Sequence, residues 1–341
     1  MSHPYDTVII GGGPAGLSAA LVLGRCVRRV LICDGGSYRN DRSHAIHCFM
    51  SQDGISPTEL LTRAREQLRR YETVTHRHVQ VTSIERDREG FSVGTDAGDT
   101  LRSRTLLVAT GVVDELPDIE GMRDFFGRSV HVCPYCDGWE HRNAPVAAFG
   151  KGDKGAGLAL LLRQWSDDLV LCTHGPGEIR ADDLRHLRAR GVAVREQVIR
   201  KLEGADGCLK SVLFEDGSRL ERRALFFNTG QHPRSTLLEK LGCRYGERGV
   251  ECDEDGETNI PGVYVAGDVS RDVQLAIIAA AEGARAACHQ PDAADKRRPD
   301  RRNLGSAAIV SVSCPITPTH PELRLLKKSM IADGGAFRGS V

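Results

Sequence analysis

The 341-residue chain has no excess of charge of either sign, since Lys+Arg and Asp+Glu both number 46. A nucleic-acid or anionic-membrane binder normally carries a strong basic footprint, so a bulk polyanion partner is not expected. No apolar run approaches the ~20 residues needed to span a bilayer, which excludes a membrane-crossing helix. The opening, MSHPYDTVIIGGG, lacks a basic segment and an apolar stretch of about 7–15 residues before a cleavage site, so the expected location is cytoplasmic. A disulfide framework is also missing. The eleven cysteines are odd in number and scattered, so most should be reduced thiols serving as small hydrophobes. What remains is a globular composition, 40% hydrophobic and 27% charged, in a chain long enough for two domains of about 150 residues.

The apolar residues 7–10 run into Gly11, Gly12, Gly13, Pro14, Ala15 and Gly16, and a helical pattern follows over residues 17–23. Gly11, Gly13 and Gly16 fit GxGxxG, in which glycines permit a tight turn, close approach of a pyrophosphate and close helix–strand packing. A second strand over residues 29–33 ends in Asp34, placed to accept hydrogen bonds from a ribose. The alternative is a plain glycine-rich turn with a surface aspartate. A second loop of this design, Gly150, Gly152 and Gly155, follows the strand VAAF, although such a module can keep its architecture without its ligand. Two further apolar runs end in Thr110-Gly111 and Gly267-Asp268, at the carboxyl ends where α/β sheets bind ligands.

Cys133-Pro134-Tyr135-Cys136 stands just before the second module. No second CxxC and no His-x₃₋₅-His completes a tetrahedral metal site, so no metal is expected. At the start of a helix, the helix dipole and the second thiol favour a thiolate nucleophile that can form and break a short disulfide. Asp137 follows directly and is a candidate to exchange a proton with a departing thiol if burial favours its protonated form; the alternative is a helix N-terminal acid that only caps.

GGGPAG, ATG at residues 109–111, CPYCDG at 133–138, GKGDKG at 150–155, GQHP at 230–233 and VAGD at 265–268 occur in the order and spacing of the low-molecular-weight thioredoxin reductase family of flavoproteins. The chain resembles that family from about residue 5 to residue 287. The resemblance implies an α/β fold of two Rossmann-like, three-layer, parallel-sheet dinucleotide-binding domains, the second inserted in the first. It implies FAD in the first, the redox pair in the second, a homodimer, and a domain rotation that shows the dithiol alternately to flavin and to substrate. It also implies that Cys136 faces the flavin and that Cys133 exchanges with a small dithiol, a disulfide or a thioredoxin-like protein.

The chain departs from the family in three places. The family's His-Arg-Arg, whose arginines grip the NADPH 2′-phosphate, reads His174-Gly175-Pro176, with only the later Arg180 kept. Charge-assisted hydrogen bonds of roughly 1.5–3 kcal/mol each are lost with those arginines. The second site is thus expected to take NADH, another dinucleotide such as a second FAD, or nothing. The family's Arg-Gln pair before the last helix reads Gln274-Leu275, which rearranges contacts to the flavin ring. The segment 43–54, with His44, His47 and Cys48, resembles a branch of small-molecule dithiol oxidases and pyridine-nucleotide-independent disulfide oxidoreductases. There a histidine near the flavin is suited to take a thiol proton, because imidazole titrates near neutrality; the alternative is a structural histidine. Asp137 points the other way, since several dithiol oxidases carry His after the second cysteine.

Motif order places an FAD-binding domain at residues 1–117 and 248–290, an NAD(P)-binding-like domain carrying CPYC at 118–247, and a tail at 291–341 that includes Cys314. The chain should cross between domains near Pro117 and again near residues 246–249. The leading expectation is an FAD-dependent thiol–disulfide oxidoreductase without the usual NADPH recognition. An NADPH-dependent thioredoxin reductase and a flavin-bound redox sensor are the alternatives.

Overall fold

A computed structural model of the chain describes residues 4–247, 249–270 and 273–291. Its first sheet has seven strands. Val74–Arg77, Val30–Cys33, Tyr5–Ile10 and Thr100–Val108 lie side by side in parallel. The long strand Thr100–Val108 is shared on its far side. Its carboxyl half pairs in parallel with Val263–Val265, and its amino half pairs antiparallel with Gly90–Thr95, which in turn pairs with Val81–Asp87.

Along Tyr5–Ile10 the side chains alternate between two cores, as a strand buried on both faces requires. Ile9 packs with Leu17, Leu23, Ile32 and Leu107, beneath the helices Pro14–Arg25, Pro57–Leu68 and Ala276–Cys288. Val8 and Ile10 pack on the other side with Leu31, Phe91, Val93 and Val108. Register puts Ile10 opposite both Cys33 and Val108, and Val108 opposite Val265. All four strands therefore end at one edge, where the glycine turn, Asp34, Thr110-Gly111 and Gly267-Asp268 follow them.

The second sheet is wholly parallel, in the order Ala193–Arg195, Leu169–Cys172, Val146–Phe149, Ala224–Phe227, Val130–His131. The helices Gly152–Leu162 and Ala181–Ala189 cover one face through Leu158, Leu162 and Leu187. The opposite face is covered by strands. Ile199–Ala205, Cys208–Phe214 and Arg219–Glu221 form an antiparallel sheet that buries Leu202, Leu209, Val212 and Phe214 against Val130, Ala147, Val170 and Phe227. The layers are thus helix, parallel sheet and antiparallel sheet, an α/β arrangement with two Rossmann-like units.

Two short antiparallel strands, Val112–Asp114 and Gln231–Pro233, lie where the chain leaves the first sheet and returns to it. Leu237, Leu238 and Cys243 already pack in the core of the first sheet, beside Val8 and Leu106. These residues come ahead of the crossing expected near residues 246–249. Motif order could not show this, because GQHP gives no sign of which core the residues after it join. Cys314 and the tail from residue 292 onward lie outside the described residues.

Candidate functional site

The strand Tyr5–Ile10 stops because Gly11 takes φ +117°, and its N–H donates to Cys33 O at 2.9 Å. A Cβ at Gly11 would lie 2.3 Å from Ala109 O, and one at Gly16 would lie 2.0 Å from Gly11 O. Only glycine lets the helix begun by Pro14 and Ala15 sit flush on the turn. Gly13 differs: nothing lies within 4 Å of its Cβ position, so its missing side chain leaves room for a ligand rather than for the chain. Gly12, which the GxGxxG spacing passes over, is held as closely as Gly16, since its Cβ would fall 2.0 Å from Asp34 Oδ2.

These residues wall a cleft of about 390 Å³ that also includes Tyr38, Arg39, Thr110, Gly111 and Arg234. Asp34 is 2% exposed. Its Oδ2 accepts from Tyr38 Oη at 2.7 Å, His76 Nε2 at 3.0 Å and Arg65 Nη2 at 3.4 Å, and its Oδ1 accepts from Gly36 N at 3.0 Å. Burial alone would favour the protonated acid. Hydrogen bonds from His76, Tyr38 and Gly36, with the charge of Arg65, outweigh it and hold the carboxyl well below the usual carboxylate range.

Arg39 is one of two arginines in the cleft wall. Nε and Nη2 bind Asp114 bidentately at 2.8 and 2.5 Å, while Nη1 donates to Asp268 Oδ2 at 3.0 Å and to Gln274 Oε1 at 2.5 Å. It thereby ties the connecting strand Val112–Asp114 to the loop after Val263–Val265. Gly267 donates its N–H to Glu282 Oε2 at 2.9 Å, and Leu275 forms the N-cap of Ala276–Cys288. Arg39, Tyr38, Arg65 and His76 belong to no motif, and only their place in the fold brings them to Asp34 and Asp268.

Cys133 and Cys136 are joined by a disulfide. Cys133 caps the helical turn Pro134–Asp137, and its Sγ accepts from Cys136 N at 3.1 Å, a bond that would favour a thiolate there. Tyr135 and Trp139 beside the pair are 63% and 64% exposed, and Met50 is 81% exposed. Asp137 Oδ1 lies 3.3 Å from His131 Nδ1, and His131 Nε2 lies 2.9 Å from His141 Nε2. Burial, reinforced by His131, lowers the His141 imidazole to about 4, against an opposing pull from Asp137.

The segment after the first module also reaches this turn. Cys48 Sγ donates to Tyr135 O at 3.5 Å, and His47 Nε2 lies 3.4 Å from Glu140 Oε1, with Nδ1 3.7 Å from Asp53 Oδ1. His44 is exposed.

In the second glycine loop, one backbone N–H, that of Gly152, is taken up by the chain's own carbonyl. Gly155 packs flush on Gly150, where its Cβ would lie 2.4 Å from Gly150 C. Gly152 N donates to Gly177 O at 2.8 Å, Gly175 N to Glu196 O at 2.9 Å, and Gly177 N to Glu196 Oε1 at 2.9 Å. Gly175 takes φ +101°, a conformation that an arginine side chain there would strain. Arg180 Nε lies 2.9 Å from Asp153 Oδ1 and 3.0 Å from Asp183 Oδ2, so its charge is already shared between two carboxylates.

The remaining cysteines correct the expectation of packed thiols. Cys33, Cys172 and Cys243 are buried, and burial pushes Cys33 up to about 11 and Cys172 up to about 12. Cys26, Cys48, Cys208 and Cys288 are exposed. Cys26 follows the end of one helix and Cys288 ends another, while Cys208 opens a hairpin strand, places where apolar neighbours in sequence do not produce burial.

Comparison with known proteins agrees with this geometry. The model of the pyridine nucleotide-disulphide oxidoreductase family matches residues 5–283. Thioredoxin reductase aclD of Aspergillus oryzae is 31% identical over 296 residues, covering 83% of this chain and 94% of its own. Among solved structures, the putative thioredoxin reductase TrxB from Bacillus anthracis superposes with a TM-score of 0.80 at 33% identity, over 83% of this chain and 96% of its own. HlmI superposes with a TM-score of 0.81 at 38% identity, over 84% and 92%.

Proposed function

The chain belongs to the pyridine nucleotide-disulphide oxidoreductase family and is thioredoxin reductase-like, and we propose that it is a dithiol oxidase, passing electrons from a small dithiol through Cys133–Cys136 to FAD. FAD is the cofactor that this family implies, and the first cleft suits it. The open space at Gly13 admits a pyrophosphate beside Gly11, Pro14, Ala15 and Gly16. Asp34 would hold the ribose, and Thr110, Gly111, Gly267, Asp268, Gln274 and Leu275 would line the remainder. When bound, FAD would supply a two-electron acceptor for the reduced Cys133–Cys136 pair, with oxygen or another oxidant as the outside acceptor.

The protein's own part is exchange and proton handling. A substrate thiolate attacks Cys133 Sγ, forming a mixed disulfide and breaking the Cys133–Cys136 bond. Cys136 leaves as a thiolate and takes a proton by way of Asp137. The second substrate thiol then attacks the substrate sulfur, releasing Cys133 and a substrate disulfide, so one dithiol is oxidised as one disulfide is reduced. Tyr135, Trp139 and Met50 offer an apolar surface to that substrate. The homodimer and the two-domain partition are part of this reading.

The observation that carries the nucleotide-independent part is the state of the second glycine loop. Gly152 N is committed to Gly177 O and Arg180 to two aspartates, and Glu196 adds negative charge where a 2′-phosphate would need cations. NADPH-dependent thioredoxin reduction is the second reading, favoured by relatives named thioredoxin reductase.

The test is steady-state oxidation of dithiothreitol, with oxygen or a dye as acceptor, by the wild type and by Cys136→Ser. The variant should keep its flavin and lose turnover by at least about 100-fold, since it cannot form the disulfide. Equal rates in the two proteins would remove the cysteine pair from the reaction.

A further inference from the structure

We propose that Asp137, His131 and His141 form a proton wire that joins the Cys133–Cys136 pair to solvent. The inference rests on the reading that this pair is redox-active. It adds two histidines that act through Asp137, as positioning residues rather than groups that meet the sulfurs.

Geometry fixes where the protons are. His131 Nε2 and His141 Nε2 face each other at 2.9 Å. Two lone pairs or two N–H groups at that distance would repel, so one proton lies between them. With Asp137 ionised, the charge on its Oδ1 at 3.3 Å favours the Nδ1–H tautomer of His131. His131 Nε2 then accepts, His141 Nε2–H donates, and His141 Nδ1 is the outer acceptor. His131 is 5% exposed, whereas His141 is only partly buried, so the wire runs from the interior outward.

The surroundings of His141 keep its ring neutral. Phe226, fully buried, lies with its ring 5.2 Å from that of His131 and 6.1 Å from that of His141. Burial is the main cause, His131 and Arg223 act in the same direction, and Asp137 opposes them by favouring protonation. A proton therefore passes through His141 by a switch of tautomers and does not rest on that ring.

When Cys136 leaves as a thiolate, a solvent proton binds His141 Nδ1, the His141 Nε2 proton moves to His131 Nε2, the His131 Nδ1 proton moves to Asp137, and Asp137 hands it on to the sulfur. One proton enters and one reaches the sulfur, and no charge is left on the wire. Both rings end in the opposite tautomer. That state conducts only outward, which is the direction needed when the dithiol is reoxidised and releases its proton. Each full cycle of the pair resets the wire, so no ring has to rotate.

The test uses reduction of the Cys133–Cys136 disulfide by dithiothreitol at neutral pH, followed by alkylation of the new thiols. This reaction needs no nucleotide and no natural substrate. A positioned acid contributes ~10²–10⁴-fold, and loss of its resupply in His141→Ala should cost roughly tenfold. Added imidazole should restore most of the rate, which a purely structural role would not allow. In mixtures of H₂O and D₂O, the wild-type rate should fall along a curve, because several protons move together, and the variant rate along a straight line. An undiminished rate in the variant, no response to imidazole, or a straight line for the wild type would each overturn the wire. If the wire behaves as described but no dithiol reduces the flavin, the parent reading fails and the wire stands.

Discussion

Replacing Arg39 with Ala should destabilise the protein strongly, although Arg39 lies outside every sequence motif. Arg39 makes a two-pronged bond to Asp114 and further bonds to Asp268 and Gln274. The Asp114 side chain is 6% exposed and that of Asp268 19%, so neither carboxylate can recover full hydration when the cation is removed. Breaking a buried pair by deleting one partner costs about 3–5 kcal/mol. The Arg39 side chain is itself 21% exposed, so water will enter the space it leaves, and the lower figure of about 3 kcal/mol is the better expectation. For a chain of this size that corresponds to a fall in Tm of roughly 5–10 °C. Arg39→Lys keeps the charge but not the fork, and should recover no more than about half of the loss. Differential scanning fluorimetry on flavin-loaded protein measures both, and flavin retained through gel filtration reports on the cleft wall. A Tm for Arg39→Ala within about 1 °C of wild type, or full recovery with Lys, would refute the reasoning.

Gly12→Ala should roughly halve the flavin content or worse while leaving the Cys133–Cys136 disulfide intact by thiol titration, because the new methyl would displace the pinned carboxylate of Asp34. Gly283→Ala places a Cβ 2.0 Å from Ala15 O, at the contact of the first and last helices of the first unit. The clash is backbone against side chain, so a loss at the upper end of about 1–3 kcal/mol is expected in urea titration. His141 supplies a pH dependence. Its folded value of about 4 lies below the ordinary 6.5, so between these values the unfolded chain binds a proton that the folded one does not. Stability should fall as pH drops through that window, by at most roughly 3 kcal/mol and less because the ring is partly exposed, and His141→Gln should flatten the fall.

The features legible in the sequence are those in which contiguous residues form the structure. Gly11, Gly13 and Gly16 can be read because one strand–turn–helix imposes their spacing, and Cys133 with Cys136 because a single helical turn brings them together. Arg39, His131 and His141 escaped because their meaning depends on partners on other elements: Asp268 comes more than two hundred residues after Arg39, and His131 meets His141 only where a strand and a 3₁₀ turn pack on Phe226. The cysteines show the same limit. An apolar neighbourhood in sequence suggested burial, but exposure depends on whether an element ends there, as at Cys26 and Cys288. The second glycine loop was readable as a loop, and the bond from Gly152 to Gly177 was not.

The central claim is that electrons reach the flavin from a dithiol through Cys133–Cys136 and not from NADPH. Anaerobic mixing of the flavin-loaded protein with dithiothreitol or with NADPH, followed at the flavin absorbance, tests it most directly. The account predicts rapid bleaching by dithiothreitol that disappears in Cys136→Ser, and no comparably rapid bleaching by NADPH. Rapid bleaching by NADPH, or bleaching by dithiothreitol that survives in Cys136→Ser, would contradict it.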